Sequence, residues 1–334
     1  MARSFFLAEF CIVELCEVSR LETVHGALLV GACNARFGLR VVMAKNQDHD
    51  DVAAAHQSEV QRGERFEFGQ NWQEFLKTLD DERIAVAETS LKEMLGKQTL
   101  EGLTFLDIGS GSGLFSLAAR RLGAQVHSFD YDAQSVACTE ELKQRYFSED
   151  DDWVIEQGSV LDHQFVKSLG TFDIVYSWGV LHQTGAMWRA LGIVSESVKE
   201  AGQLFIAIYN DQGGASNRWR TIKRWYNRSP DYLRTLIVLA VGAYWETRDF
   251  LVRLVRLQNP LPFADWEKKK QARGMSVWHD LVDWVGGYPH EVAKPEQIFD
   301  FFSEQGFTLR RLTTDAGGHG CNEYVFLKKP SQRP

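Results

Sequence analysis

One segment restricts the fold of this chain more than any other. Thr104 to Ile108 is a short apolar run, Asp107-Ile108-Gly109-Ser110-Gly111-Ser112-Gly113 turns it through three glycines, and Leu114 to Leu122 continues as a helix. A strand that passes through glycines into a helix lets backbone N–H groups come close to a ligand, as in nucleotide-binding α/β sheets. Three glycines alone are a weak signal, and their neighbours sharpen it. Leu114 stands where a dinucleotide fingerprint has its third glycine. The carboxylate of Asp107 repels a pyrophosphate but attracts a ligand bearing an ammonium and a sulfonium. Asp130 lies 17 residues past Gly113 at the end of the next strand, where it can accept both ribose hydroxyl protons.

The alternation of strand and helix extends well beyond this unit. Gln125–Phe129, Trp153–Glu156, Phe172–Ser177 and Gln203–Tyr209 read as strands, with helices near 135–145, 164–169 and 187–198 between them. A helix at 295–305 and strands at 308–312 and 323–327 complete the pattern. The expected fold is α/β: a Rossmann-like, mostly parallel, seven-stranded doubly wound sheet. Residues 212–285 interrupt it with helices, including 217–226 and 233–257, and no strand pattern. They are expected as a helical insertion or lid after strand 5, which leaves 43–211 and 286–330 as the core domain. Residues 1–42 read as an N-terminal extension outside that core, since Glu9, Glu14 and Glu17 break its apolar run and spoil a signal-peptide core.

Composition narrows the partners. The net charge of −8 argues against a protein whose main task is gripping phosphate backbones. Five scattered cysteines without CxxC spacing argue against a zinc site or a disulfide framework, so no metal is expected and the cytoplasm is the expected compartment. No apolar run is long enough to span a bilayer. Charge is unevenly spread: the insertion carries +6 and the remainder −14. Such asymmetry describes either a solvated basic cap or a lid over a hydrophobic or anionic acceptor, the second admitting peripheral contact with a membrane surface.

Taken together, the motifs resemble those of the class I S-adenosylmethionine-dependent methyltransferases. Phe105 to Gly113 looks like their first motif, and Phe129-Asp130-Tyr131-Asp132 like their ribose-binding strand end. Gln157-Gly158-Ser159-Val160-Leu161-Asp162 is similar to the adenine-binding turn, and Phe172 to His182 to the fourth strand with its following helix. The resemblance implies S-adenosyl-L-methionine as cofactor, held by Asp107, Gly109, Ser110, Gly111, Gly113, Asp130, Tyr131, Ser159, Val160 and Ser177. Tyr131 is expected to lie against adenine.

Methyl transfer is an in-line displacement that depends on holding the acceptor in place, and a hydroxyl acceptor must also lose its proton. Val180-Leu181-His182-Gln183 is similar to the Val-Leu-His-His segment of the ubiquinone-biosynthesis O-methyltransferases, which borders the methyl-transfer pocket. His182 is therefore a candidate catalytic base, with structural packing as the equal alternative. His279, beside Trp278 and Asp280, is the second candidate. Trp178, Tyr209, Asn210 and Asp211 stand at strand ends where such sheets bind ligands, and are candidates to contact the acceptor. O-methylation of a small molecule is the leading expectation. A tRNA or rRNA methyltransferase gripping its substrate with the basic insertion is the alternative, as is a non-catalytic binding protein. The strand-4 end Ser177-Trp178-Gly179 lacks the Asn/Asp-Pro-Pro-aromatic segment of amino-methylating nucleic-acid enzymes, which counts against a nucleic-acid partner.

Overall fold

A computed structural model describes residues 51–255, 257, 277–315 and 320–330. Two compact units divide the chain, residues 1–51 and 52–334, and the second holds the whole sheet. Among the described residues, three helices precede the first strand: α1 over 51–61, α2 Gly69–Leu76 and α3 Asp81–Leu95. The alternating part then runs β1 Thr104–Ile108, α4 Leu114–Arg121, β2 Gln125–Asp130, α5 Ala133–Tyr146, β3 Trp153–Gln157, α6 His163–Ser168 and β4 Phe172–Trp178. A short 3₁₀ turn, Leu181–Gln183, leads to α7 Met187–Glu196 and β5 Val198–Tyr209. Helices α8 Gly214–Arg228, α9 Asp231–Val255 and α10 Val277–Gly286 follow, then α11 Pro295–Glu304, β6 Phe307–Thr313 and β7 Cys321–Lys328.

Local chemistry sets several of these boundaries. Asp80, Asp132 and Asp162 each adopt extended backbone and accept a hydrogen bond from an N–H of the first helical turn, which starts α3, α5 and α6. The strand order is β3-β2-β1-β4-β5-β7-β6. The first five strands are parallel, and β7 runs antiparallel between β5 and β6. Because the order reverses between β1 and β4, the loops leaving those strands diverge and open a crevice at their C-terminal ends. Side chains alternate across the sheet. Leu106, Ile108, Val175 and Ile206 pack on Leu191, Val194, Ile298 and Phe302 on one face. Phe105, Ile174, Tyr176 and Phe205 pack on Ile84, Leu91, Leu117 and Leu142 on the other. Burying each such side chain contributes about 1.5–3 kcal/mol.

The insertion leaves and re-enters the sheet at one point. Asn210 pairs with Ala293 in a parallel bridge. Asp211 N–H donates to the Ala293 carbonyl (3.2 Å), and Ala293 N–H donates to that of Tyr209 (3.0 Å). Among the described residues, 212–286 contain no strand, and no helix is long and apolar enough to cross a membrane. Two elements depart from the sequence pattern. Strand β5 begins at Val198 instead of Gln203, because Val198 pairs with Phe172 beyond an irregularity in the β4–β5 register. Helix α1 precedes the apolar periodicity that begins at Glu64; it is polar, and its buried side chain is His56, at 7% exposure.

Candidate active site

The glycine loop is shaped by contacts that leave no room for side chains. Gly109, Gly111 and Gly113 have φ of +77°, +55° and +79°. A Cβ on Gly109 would lie 2.5 Å from the Val180 side chain, and one on Gly113 would lie 2.8 Å from the Thr139 backbone. Gly109 and Ser110 donate their N–H groups to the Phe129 carbonyl (2.8 and 3.2 Å), which binds the loop to the end of β2. Ser110 and Thr139 share a hydroxyl hydrogen bond of 2.9 Å.

Two carboxylates flank this loop, Asp107 buried and Asp130 half-buried. Asp107, on the α4 face of β1, accepts from the Ser116 hydroxyl (2.5 Å), which in turn meets Ser128 (2.7 Å). Asp130 accepts from Gly111 N–H and Asp132 N–H, both at 2.9 Å. Burial raises the pKa of Asp107 to about 7, opposed by the Ser116 hydrogen bond, and that of Asp130 to about 6, opposed by its backbone hydrogen bonds. Among the described residues neither carboxylate forms an ion pair. A desolvated acid without a cation is costly, most of all the fully buried Asp107, and would gain from a positively charged ligand. The narrow glycine cradle and the uncompensated acids thus fit a cationic nucleoside.

The remaining donor-side candidates are placed as follows. Tyr131 meets His56 edge-on (5.1 Å between centroids) and the Arg65 guanidinium (4.9 Å to its ring). Arg65 also donates to the Gln183 carbonyl (3.0 Å). His56 of α1 and Arg65, which follows that helix, thus pack against Tyr131 just past the end of β2, a contact the sequence pattern did not disclose. Ser159 accepts from Leu161 N–H (3.2 Å) within its own turn. Val160 is part of the apolar core. Ser177 is fully buried and donates to the Ile108 carbonyl (2.9 Å), which ties β4 to β1 at the crevice.

On the other side of the crevice, elements distant in sequence converge on Tyr209. His182 is fully buried, with its ring centroid 4.0 Å from that of Tyr209. Its backbone carbonyl accepts from Glu291 N–H (2.9 Å), while neither ring nitrogen has a hydrogen-bond partner among the described residues. Burial and then the Lys223 charge lower its pKa to about 3, against the Ala207 backbone, so the imidazole is neutral near pH 7. His290 and Trp284 lie 5.2 and 5.5 Å from the Tyr209 ring. Trp284, Trp219 and Trp245, from α10, α8 and α9, lie 5.7–6.0 Å from one another.

Lys223 completes the group and is fully buried. Its ammonium donates to the Trp284 carbonyl and sits 4.8 Å from the Trp284 ring and 5.8 Å from the Tyr209 ring. Burial lowers its pKa to about 7, against the raising effect of Asp283 and Cys321. In sequence Lys223 reads as one charge in a basic helix. Its spacing from Trp219 and Tyr226, four before and three after, was the available sign that it faces inward.

Other acceptor-side candidates are dispersed. Trp178 is 39% exposed and donates to Glu323 (2.8 Å). The Asn210 side chain accepts from Asn322 (3.1 Å), and that of Asp211 accepts from Gly213 N–H (2.8 Å) in a local turn. His279 stands on α10, and its side chain lies outside the described residues.

Comparison with known proteins gives three findings. A family model described as a methyltransferase domain matches residues 78–253. The ribosomal protein L11 methyltransferase of Thermotoga petrophila is 39% identical over 84 residues, 25% of this chain and 29% of that protein. The chain thus spans under a third of the length of that relative. Among solved structures, magnesium protoporphyrin IX methyltransferase (ChlM) of Synechocystis aligns with a TM-score of 0.44 at 13% identity, covering 74% of this chain and 84% of its own. PKMT2 of Rickettsia typhi aligns with a TM-score of 0.47 at 14% identity, covering 70% of this chain and 50% of its own.

Proposed function

Because the chain belongs to the methyltransferase domain family, we propose that it methylates an oxygen of a small-molecule acceptor held between the sheet edge and the helical insertion. It is a class I S-adenosylmethionine-dependent methyltransferase. When bound, S-adenosylmethionine supplies a methyl carbon made electrophilic by its sulfonium. Asp130 and the glycine loop would hold its nucleoside, and the carboxylate of Asp107 would attract its cationic portion. Tyr131, with His56 and Arg65 against it, is the ring for the adenine end. Ser159, Val160 and Ser177 act through the backbone they fix.

The observation that carries the acceptor reading is His182. A fully buried imidazole whose two nitrogens lack partners leaves polar capacity that a bound group can satisfy. A neutral ring accepts a hydrogen bond from a hydroxyl, which orients an oxygen lone pair for displacement. The tryptophans of the insertion supply an apolar wall, so its described helices α8 to α10 cover that acceptor; residues 256 and 258–276 of the expected lid lie outside the described residues. The likeness to the ribosomal protein methyltransferase covers a quarter of this chain, too little to bring its protein acceptor over. The scattered thiols are consistent with a cytoplasmic enzyme.

The experiment has two arms. Calorimetric titration should show S-adenosylhomocysteine binding and NAD not binding. Incubation of the protein with methyl-labelled cofactor and cell extract should place label in the low-molecular-weight organic fraction. Label confined to protein or RNA would replace the small-molecule acceptor with a macromolecular one.

A further inference from the structure

A helix on a protein surface normally turns its apolar residues inward and its charges to water. Helix α9 does otherwise. It runs from Asp231 to Val255, about 37 Å at the usual rise per residue. One side packs inward: Val238 is buried, and Ile237 and Val241 lie with Tyr226, Leu281 and Val285 in the core of the insertion. Tyr232, Leu236, Leu239, Ala243, Phe250 and Leu254 fall on the opposite side, within about 60° of one another at about 100° per residue. All six are exposed, Leu236 to 57% and Leu254 to 51%. Widened to an arc of about 140°, that side still holds only exposed residues, and none carries a charge. The six charged residues of α9 all occupy positions outside the arc. Contiguous exposed apolar surface of this extent marks an interaction site.

The preceding helix supplies charge of one sign. Residues 212–230 carry five basic side chains and no acid. Lys223 is buried, whereas Arg218, Arg224 and Arg228 are exposed on α8, together with Trp225 at 69%. Arg234 fastens the two helices, donating to the Tyr226 and Asn227 carbonyls (3.2 and 3.0 Å). From this juxtaposition we infer that α8 and α9 form a docking surface for a lipid bilayer with anionic headgroups. Helix α9 lies in the plane of the interface with its uncharged arc among the acyl chains, and the α8 arginines meet the phosphates. The inference goes beyond the acceptor reading and does not rest on it.

Charge, period and width select that occupant. The insertion carries +6 against −14 for the remainder, so an anionic surface attracts this end of the chain and repels the rest. A second copy would instead bring +6 against +6. A coiled-coil seam through Tyr232, Leu236, Leu239 and Ala243 would go on to place Glu246 and Arg253 at apolar positions, so the period fails for a helix pair. An arc of about 140° also exceeds the narrow seam of such a pair and suits a helix half sunk in an interface. The helix does not cross the bilayer, being neither long nor apolar enough. Docking uses the side of α9 opposite Trp245, which meets Trp219 and Trp284, and so should leave cofactor binding unchanged.

The test is co-sedimentation of the full chain with vesicles of phosphatidylcholine alone, or of phosphatidylcholine with about 30% phosphatidylglycerol, at about 0.1 M salt. We expect binding to the anionic vesicles to be at least about tenfold tighter, and to weaken as salt is raised. Leu236→Glu combined with Leu254→Glu should weaken it by about tenfold or more, because each change puts a carboxylate among acyl chains. Arg218→Ser combined with Arg228→Ser should remove most of the preference for phosphatidylglycerol. Both double variants should bind S-adenosylhomocysteine within about twofold of the parent, since the exposed positions lie away from the glycine loop. Absence of vesicle binding by the parent, or equal binding to the two compositions, overturns the inference without any variant. Binding that survives the leucine substitutions also overturns it. So does a lipid-free dimer of the parent that those substitutions dissociate in sedimentation velocity, because the arc then belongs to a second copy.

Discussion

His182 shows how environment assigns a side chain its chemistry. Free histidine changes charge near neutrality, yet here burial and a neighbouring cation keep the ring neutral far below pH 7. On the reading proposed above, it serves as a hydrogen-bond acceptor and not as a titrating base. His182→Ala should lower turnover roughly tenfold to a hundredfold, corresponding to about 1–3 kcal/mol for one lost polar contact. The shape of the pH–rate curve between about pH 5 and about pH 8 should be unchanged. Loss of the acidic limb of that curve in the variant would identify His182 as the titrating base. Its position was legible in Val180-Leu181-His182-Gln183, because a motif fixes where a residue stands. Its protonation state was not, because burial, the larger cause, and the charge of Lys223, 41 positions along the chain, are both set by the folded structure.

At the scale of elements, the glycine turns separate conformational cost from collision. Gly96 closes α3 with φ +65° and open space beside it, whereas Gly113 starts α4 with φ +79° and the Thr139 backbone 2.8 Å from an added Cβ. Gly96→Ala should cost about 1–2 kcal/mol, the price of left-handed backbone alone. Gly113→Ala should cost about 2 kcal/mol more, since α4 and α5 must separate to admit the methyl. Urea unfolding of both variants measures the difference, and equal losses would refute the collision. The strands and the glycine loop could be read directly because period and turn residues are local properties. Helix α1 escaped notice because it buries a histidine where the pattern looks for an apolar stripe. The aromatic group around Tyr209 was hidden for another reason. Its members come from β5, three insertion helices and the turn carrying His290, and long-range convergence leaves no period in a sequence.

Across the whole molecule, the two loop carboxylates couple proton binding to ligand binding. Both pKa values are raised above the ordinary 3.8, to about 7 for Asp107 and about 6 for Asp130. The native chain thus holds protons that the unfolded chain releases, and these groups cost stability as pH rises from about 4 to about 7. His182 acts in the opposite sense, since its lowered pKa costs stability as pH falls from about 6.5 to about 3. A cationic ligand at the loop should drive both carboxyls to their anions and expel protons. Titration with S-adenosylmethionine near pH 6.5, in buffers of different ionisation enthalpy, should show more proton release by the parent than by Asp130→Asn, with the difference vanishing near pH 8.5. Identical heats for the two proteins across buffers would uncouple the acid from the ligand. One further consequence follows from the bridge between Asn210 and Ala293. The chain segments that deliver and receive the insertion, at the end of β5 and ahead of α11, are already neighbours, so the sheet closes the same way whatever is threaded between them. Lineages could exchange that segment through a single doorway, and change which compound is modified, while inheriting the donor half untouched.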